Sequence, residues 1–427
     1  MNIFNIFRIE IYKALDRLKE NGLVPADAVV GPISVDPPRD PAHGDIATNA
    51  ALVFSAAAQR KPRDLAELFV PELEQIRDVA SVEIAGPGFL NFRLQDDYWR
   101  HLITEILDVG MEFGRNEIGA GRKILVEFVS ANPTGPLHVG HARGAIFGDV
   151  LSRLLKFSGF NVTREYYWND AGAQVDKLAA SVYWHYLQSL GVAELDQAMA
   201  EVGEGVEYKG DYLVDVGAQL VEVDGEKWKG AEKKEWLPRL RTISIDAMKT
   251  LVRNDLCVLG SEFDNEVSES QLLSEGKVDA AVEALELKGL VYQGRLEPPK
   301  GKADDWVARD QILFRATRFG DQVDRPLQKS DGTWTYFATD IAYHLDKFNR
   351  GYRQLVNVWG ADHGGYVSRV KAAVAALTDG AASLDVRLCQ MVRLLEDGQP
   401  LKMSKRAGSF VTVRDLVEAM DKRLGGN

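Results

Sequence analysis

The stretch that most restricts the fold is "ILVEFVSANPTGPLHVGHARGAIFGDVLSRLLKFSGFNVTREYYW", residues 124–168. It opens with a short β-branched run suited to a buried strand. It then crosses a loop of proline, glycine and small polar residues, and repeats apolar residues at helical spacing up to a glycine. A second extended run, "FNVTREYYW", follows. Strand, crossover helix and strand form a βαβ unit, so the leading fold is a doubly wound parallel sheet that binds a nucleotide. The loop lies between strand and helix, where free N–H groups and the positive end of the helix dipole favour an anion.

His138 and His141 stand three residues apart at that helix start and can share one side of the turn. There they could donate hydrogen bonds to phosphate oxygens, while Gly135 and Gly140 allow close backbone approach. Zinc ligation is the less favoured reading, because the HExxH spacing and a cysteine cluster are both missing. A pair of satisfied structural histidines is the other alternative, and the PTGP context counts against it. No GxxxxGK[ST] loop occurs, which argues against a P-loop mechanism.

A second stretch, "LKMSKRAGSF", spans residues 401–410. Lys402 and Lys405 flank Met403 and Ser404, and ammonium groups on such a loop could take up negative charge developing on a leaving pyrophosphate. A lone lysine pair usually faces solvent; its coexistence with HVGH is what makes it specific.

A chain of 427 residues suggests two or three domains. Residues 1–115 read as a small α+β domain with a strand–turn–strand edge at "VASVEIAGPGFLNFRL". Residues 116–400 read as a Rossmann-like α/β domain interrupted by a mostly helical insertion at about 175–300 with no further βαβ repeat, and 401–427 as the lysine loop and the start of a stem. No apolar run is long enough to span a bilayer, so no membrane association is expected. The two cysteines, Cys257 and Cys389, form no CxxC pair, which argues against a structural metal and points to a reducing, cytoplasmic setting. The net charge of −12 counts weakly against a nucleic-acid partner. Local basic faces could still exist at "WLPRLRTISIDAMKTLVR" and "DKFNRGYR", although solvated helix faces are the plainer reading.

The motifs HVGH at 138–141 and KMSK at 402–405 resemble the two hallmarks of class I aminoacyl-tRNA synthetases. "VEFVSANPTGPLHVGHARG", "EYYWNDAGAQ", "SDGTWTYFATDIAYHLDKF" and "NVWGADHGGYVSRVKAA" resemble the arginyl-tRNA synthetase family in particular, and the likeness covers essentially the whole chain. The resemblance implies that L-arginine and ATP form arginyl-adenylate, that the arginyl group passes to the terminal adenosine of tRNA(Arg), and that Mg²⁺ accompanies ATP. It implies catalytic roles for His138, His141, Lys402 and Lys405. It also implies ATP contacts at Gly140, Gly360, Asp362, His363, Met403 and Ser404, and arginine contacts at Glu127, Asn132, Tyr336 and Asp340. Asn91, Phe92 and Arg93 are candidates for touching an unpaired tRNA base; alternate residues of an ordinary edge strand are the competing reading. A monomer is expected.

Family members continue past KMSK into a helical anticodon-binding domain, whereas this sequence stops at "VTVRDLVEAMDKRLGGN". The resemblance therefore also implies that this portion is missing. Two other readings stay open at this point: a tRNA-independent ligase that adenylates another carboxylate, and a non-catalytic protein that binds tRNA or arginine.

Overall fold

The computed structural model describes residues 2–192, 199, 206–296, 310–392, 395–396, 399–400 and 411–425, and the chain divides into two compact units, Met1–Asn116 and Glu117–Asn427.

The first unit starts with α1 (Ile3–Glu20), where the Asn2 side chain accepts the N–H groups of Phe4 and Asn5 and so satisfies donors that a helix start leaves open. Phe7, Ile11, Ala14, Leu15 and Leu18 recur at helical spacing and are buried. Then come β1 (Val35–Asp36), β2 (Ile46–Thr48), α2 (Ala50–Phe54), α3 (Pro62–Leu73), β3 (Val79–Ala85), β4 (Phe89–Leu94) and α4 (Asp96–Val109). The strands form an antiparallel sheet in the order β1-β2-β4-β3.

This order corrects one expectation: β4 is an interior strand, because β2 pairs with its second side and sets Ile46 opposite Phe92. Side chains alternate along it, with Leu90, Phe92 and Leu94 in the core. Phe92 is fully buried, its ring centroid 5.6 Å from that of Phe7 at an angle of 70°. Its proposed stacking on a base is thereby corrected, since the core already occupies that ring. Asn91 is also buried, and Arg93 is exposed with its guanidinium donating to the Ala42 carbonyl at 3.0 Å.

The second unit contains β5 (Lys123–Phe128), α5 (Val139–Phe157), β6 (Asn161–Trp168), α6 (Ala173–Ser189), α7 (Val214–Asp224), α8 (Lys233–Val258), β7 (Asn265–Ser268), α9 (Glu269–Ser274) and α10 (Lys277–Leu287). It continues through β8 (Val291–Gly294), β9 (Gln311–Phe314), β10 (Arg325–Pro326), α11 (Tyr336–Asn349), β11 (Gln354–Gly360), α12 (Val367–Thr378) and β12 (Ser383–Cys389). The short β13 (Leu395–Glu396), β14 (Gln399–Pro400) and α13 (Val413–Leu424) complete it.

Its main sheet is parallel throughout, in the order β12-β11-β5-β6-β7. The winding reverses at β5, between β6 on one side and β11 on the other, so the loops leaving β5 and β11 diverge and open a crevice at their carboxyl ends. The segment read as a mostly helical insertion with no further βαβ repeat in fact returns to the sheet as β7, paired in parallel with β6 from Glu165↔Asn265 to Trp168↔Ser268. Four residues, "NEVS", carry too short a pattern to announce a strand. β8, β9 and β10 make a separate antiparallel sheet.

Alternation along β5 decides what reaches the site. Ile124, Val126 and Phe128 pack with Leu151 and Leu155 of α5, whereas Leu125 packs with α11 and α12 residues such as Phe337, Ile341 and Val370. A Cβ on Gly148 of α5 would lie 2.2 Å from Phe128, so that glycine is what lets the helix close onto the strand.

The cations of the two candidate basic faces are largely paired with carboxylates: Lys347 is buried, whereas Arg239, Arg241 and Arg253 stay exposed. Arg239, Arg241, Lys249 and Arg253 pair with Asp224, Asp176, Asp170 and Glu266, and Lys347 and Arg350 pair with Glu127 and Glu165.

Candidate active site

The HVGH loop leaves β5 through two residues in the left-handed region, Val129 (φ 67°) and Ser130 (φ 40°). For a β-branched valine that conformation is costly, of order 1–3 kcal/mol, and it persists only where surrounding contacts enforce it. Those contacts are present. The Ser130 hydroxyl donates to Glu127 Oε1 at 2.9 Å and accepts the Tyr167 N–H at 3.2 Å. The Tyr166 hydroxyl bridges the N–H and C=O of Ala131 at 3.0 and 3.1 Å, and Asp255 Oδ2 accepts the Leu137 N–H at 2.9 Å.

His138 is the N-cap of α5. Its Nδ1 accepts the Gly140 N–H at 3.1 Å, and His141 Nδ1 accepts the His138 N–H at 3.2 Å. The reciprocal pair is a capping box built from imidazoles. Because both Nδ1 atoms act as acceptors, the remaining ring proton of each neutral imidazole sits on Nε2. The rings stack with centroids 3.8 Å apart and planes 15° apart, so the two Nε2–H donors are held as a set.

His138, Gly140 and His141 line a cavity of about 590 Å³, together with Gly360, Asp362 and His363 at the carboxyl end of β11. The two motifs read separately in the sequence thus converge on one crevice, at the point where the winding reverses. Asp362 and His363 are exposed side by side, with Nε2 of His363 3.5 Å from Oδ2 of Asp362.

A second cavity of about 490 Å³ shares Val129, Ser130, Asn132, Val358, Trp359, Gly360 and His363 with the first and extends toward α11. Glu127, Tyr336 and Asp340 line it. Tyr336 is 65% exposed, which puts its ring at the mouth rather than the floor, and Asn132 donates to Gln174 Oε1 at 2.7 Å.

Asp340 keeps some solvent access through the cavity, yet protein atoms enclose it so deeply that burial pushes its carboxyl up to about 7, against the lowering effect of the Tyr366 hydroxyl that donates to it. A second carboxylate in this wall gives no signal in the sequence: Glu269, the first residue of α9, is 4% exposed. Burial, then repulsion from Asp340 and Asp170, raises it to about 7 as well. Its Oε2 has no hydrogen-bond partner among the described residues. Two desolvated carboxyl groups that repel one another form a receptor for a cation.

Glu127 belongs to a buried polar chain. Lys347 Nζ, fully buried, donates to Glu127 Oε2 at 2.6 Å and to Asn357 Oδ1 at 3.3 Å. Asn357 Nδ2 lies 3.1 Å from His344 Nε2, and His344 Nδ1 lies 2.8 Å from the Asp340 carbonyl. Burial, followed by the Lys347 charge, lowers His344 to about 3, so it stays neutral, donating from Nδ1 and accepting at Nε2. Every member of the chain is then satisfied.

Lys402, Met403, Ser404 and Lys405 lie outside the described residues. Both flanks of their segment are attached to the HVGH helix: Arg143 donates to the Gln390 carbonyl at 2.9 Å, and Val413 N–H donates to the Leu137 carbonyl at 2.9 Å. Among the described residues no group of three or more His, Cys, Asp or Glu side chains is gathered as a protein-held metal would require.

Residues 5–94 match the family described as arginyl tRNA synthetase N terminal domain, and residues 102–425 match tRNA synthetases class I (R), catalytic domain. An arginine–tRNA ligase of Roseobacter denitrificans is 54% identical over 98% of this chain and 71% of its own length. One from a Ruegeria species is 51% identical over the same shares. The Thermus thermophilus arginyl-tRNA synthetase structure superposes with a TM-score of 0.65 over 99% of this chain and 70% of that one; at 21% identity it speaks for the fold alone. Matches to both domain families, together with relatives identical at half of all positions, leave one assignment: the chain belongs to the class I arginyl-tRNA synthetase family.

Proposed function

We propose that this chain activates L-arginine with ATP and transfers the arginyl group to the terminal adenosine of tRNA(Arg). The arginine carboxylate attacks the α-phosphorus, the bond from that phosphorus to the bridging oxygen breaks, and pyrophosphate leaves; a ribose hydroxyl of the terminal adenosine then attacks the arginyl carbonyl, the bond from that carbon to the phosphate oxygen breaks, and AMP leaves. Such an in-line displacement needs positioning and charge stabilisation rather than a protein nucleophile.

ATP would occupy the cavity of about 590 Å³, with the paired Nε2–H donors of His138 and His141 on its phosphates, Gly140 allowing close approach, and Gly360, Asp362 and His363 toward ribose and adenine. Lys402 and Lys405, with Met403 and Ser404 between them, would meet the leaving pyrophosphate. Mg²⁺ would arrive on the ATP phosphates. Arginine would fill the adjoining cavity, its α-amino end toward Glu127 and Asn132 and its guanidinium toward Asp340 and Glu269, with Tyr336 at the mouth. Asn91 and Arg93 remain candidates for contacting tRNA. No helix among the described residues is long and apolar enough to cross a membrane. A cytoplasmic monomer completes the reading.

The observation that carries this assignment is the meeting of Asp340 with Glu269, whose Oε2 has no hydrogen-bond partner among the described residues, in the cavity that opens onto the HVGH loop. A planar guanidinium satisfies two such carboxylates better than a lysine point charge does. Arginine-dependent exchange of pyrophosphate into ATP, with and without tRNA and beside lysine and citrulline, tests it. Exchange with arginine alone among the three is expected, in the presence of tRNA if not in its absence. Exchange indifferent to arginine under both conditions would return the choice to another carboxylate ligase or a binding protein.

A further inference from the structure

Glu269 sits in a turn that is fixed from outside the cavity. The Asp170 carboxylate, 4% exposed, accepts the Ser268 hydroxyl at 2.9 and 2.8 Å on its two oxygens and the Ser270 N–H at 3.0 Å. It therefore grips the residues on both sides of Glu269. Asp170 is in turn held by Lys249 Nζ at 2.7 Å, from the middle of α8. Burial would raise Asp170, but Lys249, the Ser270 N–H and the Ser268 hydroxyl outweigh it and keep the carboxyl below its usual range, so it is the charged form that clamps the turn. The Ser268 oxygen also accepts the Gln271 N–H at 3.2 Å as the N-cap of α9. A turn bonded on both sides leaves little freedom to the side chain between them.

We infer that Asp170 and Lys249 are positioning residues for selection of the arginine side chain: they lock the Ser268–Ser270 turn, aim Glu269 into the cavity, and so tie α8 to amino-acid recognition. This rests on the reading that Glu269 faces the guanidinium. Neither Asp170 nor Lys249 lines the cavity, so both act through Glu269.

A simple field effect and a positioning effect predict opposite signs at Lys249. Deleting a nearby positive charge tightens binding of a cation if only the field matters, and loosens it if the turn loses its anchor. The test is calorimetric binding of L-arginine and of ATP to the whole chain carrying Lys249→Met, Ser268→Ala or Glu269→Gln, with thermal unfolding followed in parallel. The expected result is an arginine Kd raised about tenfold by Lys249→Met and about threefold by Ser268→Ala, with the ATP Kd within about twofold. In the Glu269→Gln background, Lys249→Met should add less than about twofold. An arginine Kd that is unchanged or lower in Lys249→Met, one that moves together with the ATP Kd, or a full effect persisting without Glu269 would overturn the inference. Should Lys249→Met fail to fold, Ser268→Ala, an uncharged change in a half-buried turn, decides by the same criteria. Glu269→Gln with unaltered arginine affinity would sink the underlying reading itself, and is separable because it is measured alone.

Discussion

Thr412 pairs with His138 in an antiparallel bridge, flanked by Val139 N–H on the Val411 carbonyl at 3.3 Å and Val413 N–H on the Leu137 carbonyl at 2.9 Å. Residues far apart in sequence therefore share one backbone junction at the start of α5. Capping of α13 strengthens it, since Thr412 and Asp415 bond reciprocally, Thr412 N–H to Asp415 Oδ2 at 2.8 Å and Asp415 N–H to Thr412 Oγ1 at 3.0 Å.

On the opposite flank, just beyond the pairing of Cys389 with Gly360, the exposed Arg143 side chain donates to the Gln390 carbonyl at 2.9 Å. Arg143→Met removes that tie without touching the core. Slower arginine-dependent pyrophosphate exchange is expected, by about tenfold at saturating substrates, with the arginine Kd within about twofold. An exchange rate matching the parent protein would show that this attachment does not influence the lysine segment.

His138 has two separable tasks, capping α5 through Nδ1 and presenting Nε2–H. Asparagine can reproduce the first, because its side-chain oxygen can accept the Gly140 N–H, but not the second. His138→Asn should unfold within about 0.5 kcal/mol of the parent, whereas His138→Ala should lose about 1 kcal/mol of cap. Both should slow exchange by about a hundredfold. Denaturant curves set beside exchange rates check this, and a normal rate in His138→Asn would remove the histidine from the chemistry.

Arginine binding should be proton-linked. With Asp340 and Glu269 both raised to about 7, the empty site is largely protonated at pH 6 and ionised at pH 8, while a guanidinium needs it ionised. The arginine Kd should therefore fall between pH 6 and 8, by up to about tenfold per unit for each proton released. Glu269→Gln should make the slope shallower and raise the Kd at pH 8 about 10- to 100-fold. Without ligand the stability contribution has the opposite sense. Carboxyl groups whose folded pKa exceeds the unfolded value stabilise most below about pH 4 and lose that contribution as pH rises through 7, so the apoprotein should melt lower at pH 8 than at pH 5.5 on this account. Saturating arginine should flatten the difference. Calorimetric titrations across that range, with melting curves, decide it.

How much of this was legible beforehand follows from the range of each signal. The βαβ stretch and the HVGH turn announce themselves because strand, loop and helix are contiguous, and "WGADH" lies at a strand end as its pattern implied. Glu269 was invisible, since an acid between two serines looks like any helix start, and only the pairing of β7 with β6 carries it to the site. Asp340, His344 and Lys347 follow one another at helical spacing and imitate a solvated face, but His344 and Lys347 are buried against β5 and β11 and Asp340 faces the cavity. Phe92 misled for the converse reason: strand alternation says which residues share a face, not which face the core takes.

Lys347 offers the sharpest stability test. Its ammonium is fully buried against Glu127 and Asn357, and deleting one member of such a pair leaves the other charge stranded away from water. Lys347→Met should destabilise the second unit by about 3–5 kcal/mol. Adding Glu127→Gln should recover part of that loss, because a neutral amide is far cheaper to bury than an unpaired carboxylate. The double variant should still bind arginine weakly, since Glu127 lines its cavity. Urea unfolding of the second unit, measured for both single variants and the double, gives the coupling directly. Strict additivity would mean that Glu127 finds other compensation when the lysine is gone, and that the pair is not what holds Glu127 in place beside the strained turn at Val129 and Ser130.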